Sequence, residues 1–236
     1  MSDIVIVGGH GRVALLTAPL LVDAGNTVTS VIRDPDQSAE VSATGAEARV
    51  ADIEALSTDD ICTLLDGHDT VIWAAGAGGG DPERTTAVDR DAAIRTINAA
   101  EEVGAHRFIM VSWCGSYPDH GIPDSDPFHY YADAKAEADD HLREADLDWT
   151  VLGPSTLTDA PGNGCISLIG EDDGRTAGTS VPRETVAEVI ATAVNCPQCV
   201  GHTVRFNAGN VPADEALRHL DINWDTALDG SGTGYE

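Results

Sequence analysis

The stretch Asp3-Ile4-Val5-Ile6-Val7-Gly8-Gly9-His10-Gly11-Arg12-Val13-Ala14 runs from a short apolar segment of strand type, through a glycine turn, into an apolar helical segment over 13–24. Strand, glycine turn and helix follow one another in the order that a dinucleotide site requires. Gly8 permits the tight turn, Gly11 lets the backbone approach a pyrophosphate, and Ala14 keeps the helix close to the sheet. The phosphates would then meet the amide-rich start of the helix. Gly8, His10, Gly11, Arg12 and Val13 are therefore candidate cofactor ligands.

The second strand, over 27–32, ends in Arg33-Asp34-Pro35. An acidic residue at this place would hold the ribose 2′-hydroxyl of NAD, whereas an arginine accommodates the 2′-phosphate of NADP. Arg33 points to NADP(H), with Arg12 available as a second guanidinium for the same phosphate. Asp34 leaves NAD(H) open, since its carboxylate could take the ribose instead.

Further along, strand and helix patterns alternate without a repeat or an internal linker. Strands are predicted over 47–51, 70–75, 107–112 and 149–152, with helices over 83–103 and 128–145. Two more short strands and two helices, near 186–193 and 213–219, complete the pattern. The fold expected is α/β: one Rossmann-type domain over 1–220, a doubly wound parallel sheet with helices on both faces. Residues 153–220 would form a small substrate-side region, and 221–236 a flexible acidic tail.

The chain contains a single lysine, Lys135, four residues after Tyr131 in Tyr131-Ala132-Asp133-Ala134-Lys135. On a helix this spacing puts both side chains on one face. The ammonium is then expected to favour phenolate and lower the phenol pKa, which suits a tyrosine that exchanges a proton with a substrate oxygen. Asp126 and His129, close by in sequence, read as loop and helix-start residues that could also join a proton relay.

Thirteen basic against forty acidic residues give a formal net charge of −27 on 236 residues. Such a surface repels nucleic acid and anionic membranes. A hydrophobic content of 42% nevertheless allows a real core. Dense carboxylates with one lysine fit multimolar salt, so a halophilic cytoplasm is the expected setting. No signal peptide or membrane-length apolar run is expected. Five cysteines at irregular spacing argue against structural disulfides, and Cys196-Pro197-Gln198-Cys199 with His202 lacks a fourth zinc ligand. No metal is expected. The partner expected is a small-molecule substrate, and a homodimer remains open.

The glycine turn, Arg33, Val50-Ala51-Asp52, Ala74-Ala75-Gly76, Val111-Ser112, Tyr131-x-x-x-Lys135 and Gly153-Pro154-Ser155 together resemble an atypical short-chain dehydrogenase/reductase of the NmrA-like NAD(P)-binding group, related to NAD-dependent epimerases and dehydratases. The resemblance covers nearly the whole chain. It implies Asp52 and Ile53 near adenine, Ala74, Ala75 and Gly76 along the adenosine ribose, and Tyr131 and Lys135 by the nicotinamide ribose. Pro154 and Ser155 would lie near the carboxamide. Two positions depart from the pattern. The residue aligned with the assisting serine is Trp113, and Ser112 can serve only if the strand has already ended there. Gly153 stands where an arginine is frequent. The resemblance implies hydride transfer to a small carbonyl or quinone substrate, in a pocket walled by Trp113 and the 117–128 and 159–167 segments, with Tyr131, Lys135 and Ser112 catalytic. A non-catalytic NADP(H) redox sensor is the alternative reading. An epimerase or dehydratase is a lesser one, given the short C-terminal region.

Overall fold

The computed structural model describes residues 1–78, 81–170 and 179–220. Its first half alternates strand and helix: β1 (Asp3–Val7), α1 (Arg12–Asp23), β2 (Thr27–Ile32), α2 (Ser38–Ala43), β3 (Glu47–Val50), α3 (Thr58–Leu65) and β4 (Thr70–Trp73). A helical stretch follows as α4 (Pro82–Thr85), a π-helical turn (Thr86–Ala92) and α5 (Ala93–Val103), leading to β5 (Arg107–Val111), α6 (His129–Glu144) and β6 (Asp148–Pro154). The remainder comprises β7 (Thr156–Thr158), β8 (Cys165–Leu168), β9 (Ser180–Pro182), α7 (Arg183–Val194), β10 (His202–Ala208), β11 (Val211–Pro212) and α8 (Ala213–Arg218).

The main sheet has the order β11-β8-β10-β6-β5-β4-β1-β2-β3. From β10 to β3 all neighbours are parallel, and β1 pairs with β2 on one side and β4 on the other. That reversal of strand order beside β1 creates the crevice where α/β sheets bind ligands. The sheet is not wholly parallel: β8 runs antiparallel to both β10 and β11. β7 and β9 pair separately. The sequence pattern indicated two strands after β6, where the structure has five, because elements of two to four residues are too short to establish a period.

Two-sided burial explains the apolar run of β1. Ile4 and Ile6 belong to one hydrophobic cluster, with Ala14, Ala18 and Leu21 of α1 and Val186, Val189 and Ile190 of α7. Val5 and Val7 belong to the other, with Ile61 and Leu65 of α3, Ile97 of α5 and Leu142 of α6. These four apolar residues of β1 are fully buried, each contributing about 1.5–3 kcal/mol relative to exposure. Core layers on both faces therefore fix the sheet, and the site sits at the carboxyl ends of its strands.

Several boundaries differ from the predicted ones in ways that matter for the site. β4 stops at Trp73 and β5 at Val111, earlier than predicted, whereas β6 continues to Pro154. The helix predicted over 83–103 is interrupted by the π-helical turn. The tail expected over 221–236 lies outside the described residues. Among the described residues no helix is long and apolar enough to cross a membrane, and all five cysteines are free.

Candidate functional site

Two adjoining cavities open at the switch point and share Gly11, Ala74, Ala75 and Gly76 in their walls. The smaller, of about 310 Å³, is lined by Gly8, His10, Arg33, Asp34, Asp52, Ile53, Glu54 and Arg84, among others. The larger, of about 1010 Å³, takes in Arg12, Val13, Asp89, Ser112, Phe128, Tyr131 and Lys135. Most of the residues nominated from the sequence thus lie along one continuous surface.

The glycine turn is built for close approach. Gly8 has φ +87°, and a Cβ there would come within 2.6 Å of the Ala75 backbone at the end of β4. Gly11 stands before α1 in extended conformation and gives its helix no side-chain cap. No acidic residue occupies the first turn. The first amide groups of α1 are consequently available to an anion such as a pyrophosphate.

At the far end of the smaller cavity Arg33 is exposed. Its neighbour Asp34 is engaged locally, accepting a hydrogen bond from the Asp36 amide at 3.0 Å as the cap of a short 3₁₀ turn. Arg12 takes a different place from the one expected of a second 2′-phosphate ligand. It lines the larger cavity, and its Nη1 donates to both oxygens of Asp159 at 2.8 and 3.0 Å. The start of α1 carries its side chain away from the end of β2, and Asp159, which also accepts from Arg183 at 2.6 Å, holds it there.

In the larger cavity β5 has ended one residue before Ser112, so this serine escapes the strand alternation and lines the cavity with Tyr131 and Lys135. Its hydroxyl donates to Asp139 Oδ2 at 2.5 Å, and Ser116 donates to the same oxygen at 2.6 Å. Asp139 is fully buried, and its Oδ1 has no partner among the described residues. Burial pushes its carboxyl pKa up, against the opposing pull of Lys135, the two serine hydroxyls and Arg143. Lys135 is itself buried, with Nζ 4.0 Å from Asp89 Oδ1. Asp89 is anchored by the Ala77 amide, which donates to its Oδ2 at 2.9 Å.

This arrangement reverses the expected effect on Tyr131. Instead of being lowered by Lys135, the phenol pKa is pushed well above its usual value, first by burial and then by the negative charges of Asp89 and Asp139. The lysine charge is offset by two buried carboxylates, so burial dominates. The outcome is a phenol that holds its proton.

Pro154 and Ser155 do not line either cavity. Because β6 runs on to Pro154, that residue is still paired with Phe206 of β10, and the Ser155 amide donates to the Phe206 carbonyl at 3.0 Å. Leu157 of β7 provides the cavity wall instead. Trp113 stands behind the wall, edge-on to Phe128 at 5.1 Å between ring centroids, and Phe128 packs on Tyr131 at 5.0 Å. The 159–167 segment reaches the cavity only through the hold of Asp159 on Arg12 and Arg183.

Sequence reasoning missed Asp89 and Asp139, although a signal existed for each. Asp89 falls on the buried stripe Thr85, Val88, Ala92, Thr96 of its helical stretch, where a charge is out of place. Asp139 extends the Tyr131, Lys135 line by one further helical turn.

The geometry agrees with what comparison with known proteins finds. The profile of the NAD(P)H-binding family matches residues 8–197. The UPF0659 protein C216.03 of Schizosaccharomyces pombe is 35% identical, over 92% of this chain and 94% of its own length. Among solved structures, a Bacillus halodurans protein whose name places it with NAD-dependent epimerase/dehydratases is 29% identical. It superposes with a TM-score of 0.83 over 92% of this chain and 99% of that one. A wide-type short-chain dehydrogenase/reductase of Veillonella parvula in complex with NADP, 18% identical, shares the fold with a TM-score of 0.68 over 91% and 99% of the two chains.

Proposed function

Since the chain belongs to the NAD(P)H-binding family, we propose that it is an NADPH-dependent reductase of a small carbonyl or quinone substrate. One observation carries this reading: Ser112, Tyr131 and Lys135 line a single large cavity that is continuous with the glycine turn. The residues fit a dinucleotide, with a cradle that a Cβ at Gly8 would fill and an uncapped helix start for the pyrophosphate. Arg33 supplies the guanidinium for a 2′-phosphate while Asp34 is engaged in its own turn. When bound, the reduced nicotinamide supplies the hydride.

The rest of the chemistry belongs to the chain. Tyr131 keeps its proton and gives it to the substrate oxygen as negative charge develops there. Lys135, held between Asp89 and Asp139, orients the ribose hydroxyls and offsets the charge left on the phenolate. Phe128 and Leu157 give the reacting face an apolar wall. The distal partner expected is the small molecule alone, whether the chain acts as a monomer or a homodimer.

A sensor of the NADP(H) ratio is the second reading, favoured by the Ser112 hydroxyl. Its hydrogen is committed to Asp139, so it is not free to polarise a carbonyl while that carboxyl is ionised. The test is NADPH oxidation by the purified protein in multimolar potassium chloride, across quinones, aldehydes and ketones. Turnover supports the reductase, whereas tight NADPH binding without turnover of any of these favours the sensor. Cofactor choice is read separately. Arg33→Ala is expected to weaken NADPH binding about 10- to 100-fold, the worth of a charged hydrogen bond, and to leave NADH binding nearly unchanged. Equal losses would sink the NADP assignment.

A further inference from the structure

Beside the large cavity, His120, His129 and Asp133 each bring a ligand atom within 4.8 Å of the others. α6 supplies His129 and Asp133, one helical turn apart, and the preceding loop supplies His120 and Asp124. The hydrogen bonds fix what each ring can do. His129 Nδ1 lies 2.8 Å from the Ile122 carbonyl oxygen, which can only accept, so the ring hydrogen is on Nδ1. In a neutral ring Nε2 then carries a lone pair, and it faces Asp133 Oδ2 at 3.0 Å and Asp124 Oδ1 at 3.6 Å. Nε2 thus faces two carboxylate oxygens, one on α6 and one on the preceding loop, an arrangement that suits a cation between them.

His120 has a different part. Its Nδ1 accepts from the Ile122 amide at 3.0 Å, which leaves the ring hydrogen on Nε2 to be donated to Asp133 Oδ1 at 2.9 Å. It therefore orients the carboxylate and keeps Oδ2 turned toward His129. A ring hydrogen on a backbone carbonyl, and a carboxylate steered by a second donor, are the outer contacts that metal ligands use.

We propose that His129 Nε2, Asp133 Oδ2 and Asp124 Oδ1 form a binding site for a divalent transition-metal ion of the Zn²⁺ or Mn²⁺ class. One imidazole and two carboxylates suit these ions. With bonds of about 2.1 Å, ligand atoms stand about 3.0 Å apart across an octahedral edge and about 3.4 Å across a tetrahedral one. The 3.0 Å between His129 Nε2 and Asp133 Oδ2 matches such an edge, and the fully exposed Asp124 carboxylate, 3.6 Å from Nε2, needs only a small swing to close on the ion. Asp124 also lines the large cavity and is fully exposed, so positions beyond the three protein ligands are open to water or to a substrate oxygen. Metal binding would tie the 120–128 loop, which carries the Phe128 wall, to the helix that holds Tyr131 and Lys135. This site was not expected from the sequence, where the cysteines drew attention instead. It does not depend on the reductase reading.

The test is isothermal titration of the untagged, chelator-stripped full chain in multimolar potassium chloride with ZnCl₂ and, separately, MnCl₂. The expected result is saturable one-to-one uptake of at least one ion, abolished in His129→Gln and Asp133→Asn. Asp124→Asn, at a fully exposed position that does not threaten folding, should weaken uptake tenfold or more with an unchanged circular dichroism spectrum. No saturable uptake of either ion would overturn the proposal. Uptake of equal strength in His129→Gln and Asp124→Asn would overturn it as well.

Discussion

Tyr131 keeps its proton because it is buried beside two carboxylates, Asp89 and Asp139, whose negative charge outweighs that of the one lysine. The raised pKa places the protonated phenol across the whole neutral and mildly alkaline range, so the proposed proton donation should not decline as pH rises through that range. Neutralising one carboxylate tests the balance. Asp89→Asn removes a negative charge that raises the phenol pKa, and the tyrosinate absorption assigned to Tyr131, by difference from Tyr131→Phe, should then appear at lower pH than in the wild type. An unchanged titration would show that burial alone sets the shift. At this scale the sequence was informative about identity and less so about environment. The Tyr131 and Lys135 spacing was legible, but whether the lysine charge reaches the phenol depends also on Asp139, one turn further along α6, and on Asp89, which approaches from a helical stretch far away in the chain.

The elements that make the site are short and irregular where they meet the ligand. The turn after β1 needs Gly8 at φ +87°, against the Ala75 backbone. Gly8→Ala would add the left-handed penalty of about 1–2 kcal/mol to a clash in which Cβ comes within 2.6 Å of the Ala75 backbone. A melting temperature lower by several degrees and loss of nucleotide binding are expected, and an unaltered melting temperature would refute the account of this turn. The π-helical turn over Thr86–Ala92 carries Asp89, and π-turns of this kind gather at functional sites. Helical spacing in the sequence predicted one helix there, since a single wide turn barely alters the period. Strand ends were equally hard to read. Ser112 lines the cavity because β5 stops one residue early, and Pro154 is withheld from it because β6 runs two residues longer than predicted.

For the whole molecule, a largely parallel sheet covered by helices on both faces follows from the alternation of strands and helices and from the two-sided burial of the strands, and this part of the fold was legible in the sequence, whereas the order of the strands was not. Nor was the antiparallel edge of β8 and β11, because those strands pair through a handful of residues. Net charge acts at the same scale. With −27 formal charges, self-repulsion opposes the compact state unless it is screened, and the Debye length falls to about 3 Å at 1 M salt. The melting temperature is therefore expected to rise steeply from dilute to multimolar potassium chloride, and a flat dependence would contradict the halophilic reading.

Whether the large cavity performs reduction rests most directly on Tyr131→Phe, measured for both NADPH affinity and turnover. The substitution removes one hydroxyl and keeps the ring that packs on Phe128. A proton donor contributes about 10²- to 10⁴-fold, so kcat should fall by about 100-fold or more with NADPH affinity nearly unchanged. Turnover that survives the loss of this hydroxyl would contradict the proposed chemistry and require another proton donor.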